Sequence, residues 1–152
     1  MNSLFKVSEI KLTYQPHFKP SERPKIKKST QAYEVLRQHW DEEIMQFLEE
    51  FKVILLNTAK RVLGIVDISL GGLMHVSVDI KVVIAVALKA GATGMILAHN
   101  HPSGTLKPSS QDIALTRKIF DAAKLFDIEV LDHIIITSEG FYSFSDNWMM
   151  PR

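Results

Sequence analysis

Apolar and polar positions along this chain alternate with two different periods, and the switches between them mark its elements. Ile10-Lys11-Leu12-Thr13-Tyr14 alternates residue by residue and predicts a short strand. From Gln15 to Lys28 the period is lost. Pro16, Pro20 and Pro24 interrupt the stretch, and Arg23, Lys25, Lys27 and Lys28 make it basic, so it reads as an extended arm. Ser29-Thr30 reads as a helix cap, followed by Tyr33, Leu36 and Trp40 at helical spacing. Asp41-Glu42-Glu43 starts a second short helical piece, with Ile44, Phe47 and Leu48 expected in the core. Phe51 to Leu56 predicts a strand, Asn57 to Lys60 a turn, and Val62 to Ile68 the second strand of a hairpin.

Gly71-Gly72 breaks the pattern and leads to a segment around His75, read as exposed and without function. Asp79 caps the clearest helix, with Ile80, Val83, Ile84, Ala87 and Leu88 on one face and Gly91 at its end. Met95 to Ala98 is a short apolar run of the kind that makes a buried strand. A long helix follows from Ser109 to about Phe126. It carries two adjacent apolar stripes, Ile113, Thr116, Phe120, Ala123 and Leu115, Ile119, Ala122, Phe126, a face wide enough for the sheet and for a partner chain. Val130-Leu131 and Ile134 to Ile136 form a further strand, Ser138 to Gly140 a turn, and Phe141 to Phe144 a last strand. The order of elements predicts an α/β fold, a mixed β-sheet covered by helices. Residues 1–28 are the strand and arm, and residues 29–152 the folded domain.

Composition narrows the classes. A chain of 152 residues buries a real core without covalent staples. The absence of cysteine excludes disulfides, thiolate metal sites and the zinc deaminases, which need cysteine ligands. A net charge of +1 gives DNA binding no independent support. No run approaches the roughly 20 apolar residues of a membrane helix, and the N-terminal MNSLFKVSEIK lacks the apolar core of a signal peptide. The expected compartment is the cytoplasm, away from membranes.

The chemistry concentrates after the Met95–Ala98 run, in His99-Asn100-His101-Pro102-Ser103-Gly104 and Pro108-Ser109-Ser110-Gln111-Asp112. Side chains two apart in extended backbone point the same way, so His99 and His101 face one point. Ser109 reads as an N-cap with Asp112 in the first helical turn, and the loop folds back to bring Asp112 beside the imidazoles. Singly, the histidines would pass for turn residues and Ser109 with Asp112 for a capping box. Together, with Pro102, Gly104 and Pro108 shaping the loop between them, they predict a metal site. Two imidazoles and one carboxylate suit zinc, and three protein ligands leave a fourth place for water, the arrangement of a catalytic zinc.

The spacing His-x-His-x7-Ser-x2-Asp is the metal motif of the JAB/MPN (JAMM) metalloprotease superfamily, and the string HNHPSG followed by PSxxD resembles its RadC-type members. The resemblance runs from about Ser29 to about Phe144, through EEFKVILLN, the Gly71-Gly72 segment and LDHIIIT. It implies a cytidine-deaminase-like α-β-α sandwich, and zinc held by His99, His101 and Asp112. It also implies a general base from the glutamate two residues before the aromatic, which selects Glu49 over Glu50, and an oxyanion hydrogen bond from Ser109. His133 matches the family's Asp-His pair; no ligand spacing links it to the others, so it reads as a core residue or a support behind the ligands. The implied activity is hydrolysis of peptide or isopeptide bonds in a peptide or protein substrate.

A rival reading, a DNA-repair or recombination accessory with a non-catalytic metal, rests on the family's customary name. The helix-hairpin-helix unit of longer RadC-type proteins is not expected here, because the first glycine is Gly64. The basic arm would then be the DNA surface. Under either reading, the two apolar stripes of the long helix leave room for a homo-oligomer.

Overall fold

The computed structural model describes residues 6–11, 13–71 and 77–152. Strands β1 (Glu50–Leu56), β2 (Val62–Leu70), β3 (Gly94–Asn100), β4 (Glu129–Ile136) and β5 (Phe141–Ser143) form a mixed sheet in the order β2-β1-β3-β4-β5. β3 and β4 are parallel, joined through helix α4 (Ser110–Lys124), and the other neighbours are antiparallel.

Residue parity decides which layer each side chain enters. Phe51, Val53, Leu55, Met95 and Leu97 pack with Val83, Ile84 and Ala87 of helix α3 (Ile80–Lys89) and with Ile119 and Ala123 of α4. Ile54, Leu56, Ile96, Ala98, Ile134 and Ile136 face Ala32 and Leu36 of helix α1 (Ser29–His39) and Met45 of helix α2 (Glu42–Met45). Both faces of β1 and β3 are covered, so these strands read as nearly continuous apolar runs. Burying one such Leu or Ile contributes about 1.5–3 kcal/mol. The result is the α-β-α sandwich, with the C-terminal end of β3 opening between the sheet and the start of α4.

Caps fix the helix starts. Asp79 accepts from the Lys81 N–H at 2.9 Å and Asp41 from the Glu43 N–H at 2.9 Å. Gly91, at φ +68°, supplies the left-handed residue that ends α3. For α1 the N-cap is Lys28 rather than Ser29 or Thr30. The Gln31 side chain reaches back to the Lys28 N–H at 3.1 Å, while the Ser29 hydroxyl is taken by Asp146.

Several expectations need correction. The described residues of the 10–14 stretch form no strand: Ile10 is 94% exposed, and Leu12 lies outside the described residues. Alternation makes a strand only where a partner takes up the backbone groups. That pairing comes later in the arm, where the Ile26 N–H donates to the Lys60 carbonyl at 2.9 Å and the Val62 N–H to that of Pro24 at 2.8 Å. Ile26 is buried in the α1 layer, so the end of the arm is fastened to the core.

Phe47 is 60% exposed, because α2 ends at Met45, which takes the core place. Leu88 is 44% exposed, since it stands about 100° around the helix from Ala87. On α4, Thr116, Ile119 and Ala123 are buried, whereas Ile113 remains exposed, as does Phe126, which lies past the end of the helix at Lys124. His75 lies outside the described residues.

Candidate metal centre

β3 is longer than its apolar run and carries His99 and Asn100 as its last residues, both buried. The pairing continues one step further, with the His101 N–H donating to the Ile136 carbonyl at 3.1 Å, and this keeps the chain extended. His99 and His101 therefore project to the same side, their Nε2 atoms 2.9 Å apart. Gly104, at φ +86°, then turns the chain, with its N–H on the His101 carbonyl at 3.0 Å.

The start of α4 aims the carboxylate. Ser109 Oγ accepts from the Asp112 N–H at 3.0 Å, and Asp112 Oδ2 accepts from the Ser109 N–H at 2.8 Å. In that pose Asp112 Oδ1 lies 3.3 Å from His99 Nε2 and Oδ2 lies 3.2 Å from His101 Nε2. The Asp112 N–H occupies only a lone pair of Ser109 Oγ, so the hydroxyl keeps its own proton to donate, and Ser109 lines the cleft.

The fourth member arrives from β1. Register sets Phe51 opposite His99, and Glu49, just ahead of the strand, is buried with Oε1 3.9 Å from His99 Nε2. One ligand atom from each of Glu49, His99, His101 and Asp112 lies within 4.8 Å of every other. Glu50 has the opposite parity and turns to Lys52, at 3.5 Å, whose ammonium stands over the Trp40 ring.

The charges of this cluster are mutually adjusted. Burial favours the neutral carboxyl of Asp112, but the adjoining imidazoles of His101 and His99 outweigh it and hold the group far below the usual carboxylate range. Burial likewise opposes the charged ring of His101, and the bond to Asp112, the Thr105 carbonyl and the nearby carboxylates together raise it.

The donor set fits a cation. His101 Nδ1 is 2.7 Å from the Thr105 carbonyl, which only accepts, so Nδ1 carries the proton and Nε2 turns to the cleft. Two ring nitrogens 2.9 Å apart with a carboxylate against both concentrate electron density that a proton or metal ion must offset. Both imidazoles lie within 3.3 Å of the Asp112 carboxylate, His99 against Oδ1 and His101 against Oδ2, so the three side chains meet within the compass of a single ion.

A family model described as a RadC-like JAB domain matches residues 26–149. The chain belongs to the RadC-like JAB family. The match begins at Ile26, the arm residue buried in the core. The chain is 46% identical over 98 residues to a UPF0758 protein of Flavobacterium johnsoniae, covering 64% of this chain and 43% of that one. It is 44% identical over 110 residues to a UPF0758 protein of Alkaliphilus metalliredigens (71% and 47%), and 40% identical over 119 residues to one of Syntrophomonas wolfei (78% and 51%). It spans about half the length of these curated relatives.

In this RadC-like JAB domain the cluster lines an open cleft of about 580 Å³, whose walls also include Phe51, Val78, Thr105, Lys107 and Leu115. Among the described residues no helix is long and apolar enough to cross a membrane.

Three supporting residues carry no weight in the spacing argument. Asn100 is fully buried; its Nδ2 donates to the Met45 carbonyl at 2.7 Å and the Leu48 carbonyl at 2.9 Å, and its Oδ1 accepts from the Glu50 N–H at 2.6 Å. It binds the segment that presents Glu49 to the strand that presents His99. His133 is fully buried behind His99, its Nε2 2.7 Å from His99 Nδ1, stacked on Phe144 at 4.8 Å between ring centroids. Burial, followed by the neighbouring His99, holds its pKa well below the usual range, so the ring is neutral. Thr116 joins His133 to the backbone of α4. The available signals were an Asn between two histidines and a Thr one helical turn after Asp112.

Proposed function

We propose that this domain is a zinc-dependent hydrolase of peptide or isopeptide bonds. The observation that carries the reading is the convergence of His99, His101 and Asp112 on one point of an open cleft, with a further carboxylate, Glu49, 3.9 Å from His99 Nε2. His99, His101 and Asp112 would hold the ion, which supplies Lewis acidity and brings the pKa of water toward about 7.

Glu49 is the general base. Its carboxylate takes a proton from the attacking water and passes it to the departing amine, so the buried group returns to its charged form after each turnover. Ser109 donates a hydrogen bond from its hydroxyl to the carbonyl oxygen as negative charge builds there, while its lone pair stays on the Asp112 N–H. Val78 and Leu115, both only partly buried, give the cleft the apolar wall against which a peptide chain packs.

The test is a screen of peptide and isopeptide substrates with the zinc-loaded protein beside Glu49→Gln. Turnover that disappears in the variant while zinc content stays the same supports the reading. Equal turnover in both proteins removes Glu49 from the role, and no turnover on any substrate class counts against hydrolysis.

A further inference from the structure

Behind the cleft a line of three buried polar groups runs from one candidate ligand to the main chain of another. His99 Nδ1 is 2.7 Å from His133 Nε2, His133 Nδ1 is 2.6 Å from Thr116 Oγ1, and Thr116 Oγ1 is 2.7 Å from the carbonyl oxygen of Asp112. His99, Thr116 and His133 are each 2% exposed or less. In such surroundings every short polar contact needs a proton between its atoms.

The direction of the line follows from its last member. A carbonyl oxygen only accepts, so the single hydroxyl proton of Thr116 goes to Asp112. Thr116 Oγ1 then has only lone pairs for His133, and the proton between them belongs to His133 Nδ1. A ring buried this completely, with no carboxylate hydrogen-bonded to it, is neutral, so its Nε2 is bare. The proton between the two imidazoles therefore sits on His99 Nδ1, and His99 Nε2 is left without one, facing His101 and Asp112. The opposite direction would set the Thr116 oxygen 2.7 Å from a carbonyl oxygen with no proton between them.

We infer that His133 and Thr116 are positioning residues which fix the tautomer of His99, anchoring one metal ligand through the main chain of another. Phe51 and Phe144, at 5.7 and 4.8 Å between ring centroids from His133, keep its ring from turning out of the line. Asp112 thus has two tasks in one helical turn: its side chain faces the ion site, and its carbonyl sets the direction of the line ending on His99. The inference rests on the metal reading for its consequence, since a bare Nε2 is what a cation requires. The direction of the line itself does not depend on that reading.

Two measurements test it. In unsubstituted metal-free protein, long-range 1H–15N correlation of the imidazoles is expected to find the proton of His133 on Nδ1 and that of His99 on Nδ1. A proton on His133 Nε2 would overturn the inference. The second is zinc affinity by chelator competition in Thr116→Val and Thr116→Ser. Val has the shape but neither donor nor acceptor, and is expected to weaken binding by roughly 10–100-fold, whereas Ser restores it to within about threefold. Affinity unchanged in Thr116→Val would also overturn it. Unsubstituted protein that binds no zinc, with both imidazole protons on Nδ1, would refute the metal reading and leave the line intact.

Discussion

His99 and Asn100 are neighbours in one strand, both polar and both buried, yet they have opposite tasks. Asn100 faces the α1 and α2 layer, and its amide makes three hydrogen bonds to main chain, so its capacity goes to architecture. His99 faces the α4 layer, gives only Nδ1 to the interior and keeps Nε2 turned to the cleft. A buried polar group whose hydrogen bonds all end on backbone belongs to the fold. One that keeps an atom aimed at other electron-rich atoms belongs to a site.

The largest effects should break the chemistry and spare the architecture. Glu49→Gln is expected to lower kcat by about 10²–10⁴-fold, with zinc content and Tm little changed, as read by steady-state kinetics and thermal melts. Ser109→Ala is expected to lower kcat by roughly 10²-fold through loss of the oxyanion donor. It should also cost about 1 kcal/mol of stability, because the cap on α4 goes with it; urea unfolding reads that part.

On the architectural side, Asn100→Ala leaves two carbonyls and one N–H without partners and should destabilise by about 3 kcal/mol. Its kcat should fall as well, because the segment presenting Glu49 is released. A kcat unchanged in folded Asn100→Ala would separate the two residues and sharpen the comparison further.

The smallest effect is one of pH. Burial pushes the Asp132 carboxyl up, against the opposing bonds from Ser143, Ser145 and the His133 N–H. A carboxyl whose folded pKa lies above its unfolded value of 3.8 adds stability below 3.8 that is lost as pH rises through the folded value. Asp132→Asn lacks that dependence. The stability difference between the two proteins should therefore narrow or reverse across the acidic range, measured by urea unfolding at successive pH values.

The sequence showed some of this and hid the rest, for definite reasons. His99, His101, Ser109 and Asp112 are separated by one strand step and one capping box, local geometry that spacing encodes, and the structure sets their polar groups within 3.3 Å of a neighbour in the cluster. Glu49 depends on the pairing of Phe51 with His99, a register that spacing does not contain; only the family resemblance pointed to it. His133 and Thr116 meet because β4 lies parallel to β3 with α4 across them, so their partnership is tertiary. The expected strand at 10–14 failed because alternation says nothing about whether a partner edge is near.

The convergence of His99, His101 and Asp112 around one ion is the feature on which the proposed chemistry rests. The direct measurement is elemental analysis of the purified protein and of Asp112→Ala. About one zinc per chain in the former and none in the latter, with both folded by circular dichroism, is the predicted result. A protein that takes up no metal even after reconstitution, or an Asp112→Ala variant that retains it fully, would contradict the account.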